Sequence, residues 1–152
     1  MLRNRSSHAP SEVFGGHERY QRFPSGSMQV LHWLDEHPHE VGISTFTLAE
    51  MRRGIELKRD SKARRELERH FGFILEDHRG AIFVFDEAAA AEWGRLMAEA
   101  RNHPLPFEDS CIGAIARSSG LKMLTRNVRH FPGCVTVDPW TDVERAAWRP
   151  GS

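Results

Sequence analysis

Two acids stand at the start of runs that read as helices: Glu50 in Thr47-Leu48-Ala49-Glu50-Met51 and Asp109 in Phe107-Glu108-Asp109-Ser110-Cys111. Carboxylates from two separate strand-to-helix junctions can share one hard cation. Magnesium takes oxygen ligands, keeps several waters and needs only one or two protein carboxylates beside substrate phosphates. The chemistry open to such a pair is metal-assisted phosphodiester hydrolysis, in which the cation lowers the pKa of a bound water and neutralises developing charge. Structural roles remain open for both residues. Thr47 to Glu50 fits a capping box, in which Glu50 returns to the N–H of the cap residue, and Asp109 suits the positive end of a helix dipole.

Other chemistries find little support. The two cysteines, Cys111 and Cys134, and the nine histidines show no CxxC and no HxxxH spacing, so neither a zinc site nor a disulfide framework is signalled. Lys plus Arg and Asp plus Glu both number 21, so no global basic field draws the chain onto nucleic acid, and phosphate binding must come from local groups. The densest basic stretch, Arg52 to Arg65, is interleaved with Glu56 and Asp60, which favours a solvated helix face over an RNA track. Arg126 is the better single candidate for a phosphate contact. No run approaches the roughly 20 apolar residues of a membrane span, and the first residues lack the apolar core of a signal peptide. A cytoplasmic protein with no membrane partner is expected.

The acids must be positioned by the surrounding elements, and apolar periodicity predicts these. Residues 1–27, rich in Pro, Gly and polar side chains, read as an irregular or disordered extension. A short helix is expected from Met28 to His37, before Pro38. Then come a strand at Val41–Ser44, a helix with Glu50 in its first turn, and an amphipathic helix from Ser61 to about His78, stopped by Gly80. A strand at Ile82–Phe85 leads to a helix capped by Asp86 and running to about Asn102. A helix over Glu108–Ser119 ends at Gly120, and strands follow at Leu121–Thr125 and Val135–Val137. Strands alternating with helices of this length predict an α/β sandwich with a mostly parallel sheet, whose ligands lie outside the carboxyl ends of the strands.

Three strings then carry a resemblance, in order. Ile43-Ser44-Thr45-Phe46-Thr47-Leu48-Ala49-Glu50-Met51-Arg52-Arg53-Gly54-Ile55, Phe107 to Ala116 around Asp109, and Thr125-Arg126-Asn127-Val128-Arg129-His130-Phe131 resemble the second, third and fourth motifs of PIN-domain ribonuclease toxins of the VapC type. Val137-Asp138-Pro139-Trp140 is similar to the ending of the FitB-like branch. The resemblance covers about three quarters of the chain and implies a PIN-like α/β/α sandwich over residues 28–142, with 143–152 as a tail. It further implies the toxin of a type II toxin–antitoxin system: a magnesium-dependent endoribonuclease, with manganese as a possible substitute, that hydrolyses RNA, pairs as a homodimer and binds a cognate antitoxin. Carried over by position, Glu50 and Asp109 are metal ligands and catalytic, Asn127 stands at the fourth catalytic position, and Arg126 is the candidate phosphate contact.

Two departures qualify what the resemblance implies. Family members with Asn at the place of Asn127 usually carry an aspartate three residues later, where this chain has His130. The family also opens with an apolar strand ending in a leucine-aspartate-threonine-asparagine motif, which nothing from Met1 to Gln29 resembles, so the first central strand and its aspartate are expected to be absent. The alternative reading is a catalytically impaired PIN-like protein that binds an antitoxin or a paralogous toxin.

Overall fold

A computed structural model describes residues 11–14, 41–138, 140–141 and 143–151. Its elements are β1 (Ser11–Phe14), β2 (Ile43–Ser44), α1 (Thr45–Glu56), α2 (Lys62–Asp77), β3 (Ile82–Phe83), α3 (Glu87–Glu99), α4 (Phe107–Ser119), β4 (Leu121–Leu124), a 3-10 turn (Val128–His130), β5 (Thr136–Asp138) and β6 (Val143–Arg145). One sheet has the order β1-β4-β5-β6, with β1, β4 and β5 parallel and β6 antiparallel. A second, two-stranded parallel ladder joins β2 to β3, and β2 lies beside β1. The α/β class and the mostly parallel sheet are as the sequence predicts.

Local chemistry sets the boundaries. Ser44 caps α1, its Oγ accepting the Thr47 N–H at 3.0 Å, and Asp86 caps α3 by accepting the Ala89 N–H at 2.9 Å. Gly120 sits in the left-handed region at φ 65°, which lets α4 end and β4 begin one residue later. The core is built on α4, whose residues Ser110 to Ala116 are all buried, with Leu121 and Met123 of β4, Ala89 of α3, and Phe131 and Cys134 of the β4–β5 connection. By contrast α2 buries only Ile74 and leaves Phe73 exposed. The covered stripe of α2 is narrower than the periodicity predicts.

Two strands lie where the sequence predicts none. The first central strand is present: Ser11–Phe14 pairs in parallel with β4, Ser11 opposite Leu121 and Phe14 opposite Leu124. This corrects the expected absence. Central parallel strands are recognised by near-continuous apolar runs, and Ser-Glu-Val-Phe offers only two apolar residues, so pairing with β4 supplies what local propensity does not. Val143–Arg145, inside the expected tail, adds an antiparallel edge strand on β5. The helix expected over 28–37 lies outside the described residues.

Ile112 is fully buried at the centre of α4. Ile112→Ala is expected to lower the free energy of unfolding by about 3 kcal/mol through lost transfer energy plus a residual cavity. Urea unfolding of the two proteins with equal m-values checks this.

Candidate functional site

The carboxyl ends of the parallel strands lie where α1 and α4 begin. Phe46, in the first turn of α1, meets Phe107, the first residue of α4, edge to face at 6.4 Å, which ties the two helix starts together. Asp109 occupies the first turn of α4, as expected. Glu50 does not occupy the first turn of α1: the cap is Ser44 rather than Thr47, so the helix starts earlier and Glu50 falls in its second turn, half-buried. That placement also removes the Thr47–Glu50 capping box as the account of Glu50. Thr47 is instead buried, its hydroxyl 3.0 Å from that of Ser44.

The segment after β4 folds back onto α4. Thr125 is buried and its Oγ1 accepts the Asn127 N–H at 3.0 Å, which turns the chain out of the strand and leaves Asn127 exposed. The following 3-10 turn brings His130 Nδ1 to 2.7 Å from Asp109 Oδ2. The Asp109 side chain is 20% exposed and that of His130 42%, so this contact closes over one oxygen of a mostly covered carboxylate. Arg126 is exposed, its guanidinium carbon 4.6 Å from the centre of the Trp140 ring and its Nε 3.9 Å from Asp138 Oδ2. Asp138 is itself buried and accepts the Trp140 N–H at 3.0 Å, so the stack rests on a fixed base. The structure thus gathers Asp109, His130, Asn127 and Arg126 around one loop. Sequence reading finds each of these residues but not the Asp109–His130 bond or the Arg126–Trp140 stack, because both join segments distant in the chain.

The donor set suits a hard cation in kind, since the available side chains are carboxylates and an amide. Asp109 keeps Oδ1 for a ligand while His130 holds Oδ2, the sort of outer contact that orients a metal-binding carboxylate. Among the described residues no group of three His, Cys, Asp or Glu is close enough to hold a metal ion, so a bound ion would keep most of its water.

Away from this edge α1 and α2 exchange several ion pairs. Arg52 bonds both Glu56 and Glu68, and Arg64 bonds Glu56 at 2.8 Å, lacing α1 to α2. The Arg64 guanidinium, with Arg52 beside it, holds the Glu56 carboxyl below the usual range. The basic stretch is therefore a helix face interleaved with acids, as its composition predicts. No described helix is long and apolar enough to cross a membrane.

An open, mostly parallel sheet with acids at its carboxyl edge is the arrangement in which α/β proteins place ligands. A family model described as PIN domain matches residues 24–132. The fold is similar to that of FitAcB from Neisseria gonorrhoeae, with 29% identity, a TM-score of 0.71, and 77% of this chain and 88% of that one covered. It is also similar to DNA-bound VapBC from Salmonella typhimurium, with 22% identity, a TM-score of 0.67, and 84% and 98% covered. VapBC2 from Rickettsia felis, bound to a fragment of promoter DNA, gives 18% identity, a TM-score of 0.64, and 82% and 96% covered. No curated protein matches the chain. The chain belongs to the PIN domain family, whose members are nucleases and generally use divalent metal ions.

Neither cysteine belongs to this site. Cys134 is buried and desolvation pushes its thiol up to about 12, while burial also raises that of Cys111. A raised pKa keeps the thiol protonated and unreactive at neutral pH. Iodoacetamide at pH 8 is expected to leave both cysteines unmodified in the folded protein and to label both in guanidinium, read by intact mass.

Proposed function

We propose that this protein is the toxin of a type II toxin–antitoxin pair and a magnesium-dependent endoribonuclease, a hydrolase of RNA phosphodiester bonds acting in the cytoplasm. The observation that carries this reading is the loop after β4, which bears Arg126, Asn127 and His130 and brings His130 to 2.7 Å from Asp109 at the carboxyl edge of a PIN fold. Support for the toxin role comes from the similarity to FitAcB, and that fold is shared with complexes described as DNA-bound VapBC. A cognate antitoxin is the expected partner, and a homodimer the expected assembly.

In this reading Glu50 and Asp109 hold magnesium or manganese, which when bound lowers the pKa of a water and takes up charge on the phosphate. His130 fixes the orientation of Asp109 through its 2.7 Å bond. Arg126, braced on Trp140 and Asp138, offers a guanidinium to a phosphate of the RNA backbone, a contact that positions the strand without reading its sequence. Asn127, exposed at the turn, presents an amide on the same edge.

Two observations favour a second reading. Gly15 and Gly16 follow β1 in the sequence, where the family's first aspartate would stand, and His130 occupies a place where a carboxylate is usual. Fewer acids mean weaker attraction for a cation, which fits a catalytically impaired protein that binds an antitoxin or a paralogous toxin.

RNA cleavage by the purified chain in magnesium, beside Asp109→Ala, separates the two. Outer-shell partners of a bound metal are worth about 10–100-fold in affinity or activity, so loss of a ligand is expected to lower the rate by at least about 100-fold. RNA left intact across magnesium and manganese, with neither ion bound, would support the impaired reading. Arg126→Ala is expected to weaken RNA binding for every sequence tested and to reduce the slope of log affinity against log salt by about 0.7, the share of one phosphate contact on a single strand.

A further inference from the structure

Phe107 is 61% exposed although it is the first residue of α4, two residues before Asp109. Its ring is braced from two sides, by Phe46 at 6.4 Å and by Trp93 at 6.3 Å, both at nearly perpendicular interplanar angles. Both braces are themselves fixed. Phe46 meets Phe85 at 5.9 Å, and Trp93 donates its ring N–H to Ser110 Oγ at 2.9 Å. Ser110 in turn donates to the Phe107 carbonyl at 2.6 Å. An aromatic side chain left in water has its hydrophobic area unused, and one already held in place loses little conformational freedom when a flat ligand settles on it.

The size and setting of the patch decide what it fits. A single aromatic side chain offers on the order of 200 Å², far below the roughly 800 Å² that each partner buries in a stable protein interface. Its sequence neighbours Pro106 and Glu108 are exposed, and Glu108 is charged, so along α4 the apolar area stops at the ring, with only the small Pro106 side chain before it. One ring is the area of one nucleobase. On the nuclease reading above, on which this inference rests, the bond to be cut lies at Asp109, within the same helical turn as the ring. We propose that Phe107 is a stacking platform for one base of single-stranded RNA, a positioning residue that sets the adjacent phosphodiester at the acids. Stacking of this kind accepts any base, because each has a π-face.

The test is fluorescence anisotropy of a labelled single-stranded RNA oligonucleotide with the full chain, calcium replacing magnesium so that the RNA stays intact. Phe107→Ala is expected to weaken binding about ten-fold, Phe107→Leu nearly as much because it keeps bulk but no π-face, and Phe107→Trp not at all. Oligonucleotides with one abasic position moved along the strand supply the second arm. At one position the abasic RNA is expected to bind wild type and Phe107→Ala alike, which a merely structural role of the ring would not produce. Wild type that binds RNA with an affinity Phe107→Ala leaves unchanged overturns the stacking role while the nuclease reading stands. Wild type that neither binds nor cleaves RNA removes that reading and this inference with it. Dissociation of a dimer by Phe107→Ala in sedimentation, with RNA affinity unchanged, overturns the proposal in favour of a second copy covering the ring.

Discussion

The arrangement depends on β4 being flanked in parallel by β1 and β5. A parallel register sends all three strands toward the same edge, so loops and helix starts that are far apart in sequence meet there. Gly120 makes this geometry tight, because its left-handed backbone ends α4 one residue before β4 begins. The chain therefore leaves the acid at Asp109, runs down a helix buried from Ser110 to Ala116 and returns along β4 to bring His130 back beside it.

That return path also sets the electrostatics. Asp109 sits at the positive end of a helix and accepts the imidazole of His130, two stabilising influences on a carboxylate that is mostly covered. Arg126 supplies an exposed cation on the same loop, restrained by an aromatic face and an acid. On the α1–α2 face Arg52 and Arg64 are taken up by Glu56 and Glu68.

Much of this was legible in the residues. The helices over 62–77, 87–99 and 107–119 follow from spacing, caps and Gly120, and Asp109 falls where helix-start reasoning puts it. Glu50 shifted by a turn because two hydroxyl residues, Ser44 and Thr47, compete for the cap, and only burial of the pair decides for Ser44. Strand β1 was illegible for a different reason: its identity lies in its partner, and Ser-Glu-Val-Phe has no periodicity that four residues could display. The exposure of Phe107 was equally hidden, since an aromatic at a helix start usually signals core and only tertiary contacts show which rings remain outside.

Strand β1 has a kinetic side as well. Ser11 pairs with Leu121, so the ladder joins the first described residue to one made long after it. Contacts of such sequence separation are closed late, because the entropy of the intervening loop is spent before the pairing returns anything. During synthesis the β4 edge emerges only after α4, and until then β1 has no ladder to join. A nascent chain of this design therefore stays without its assembled parallel edge until the segment through β4 and β5 has been made, so the site at that edge is among the last parts of this fold to form.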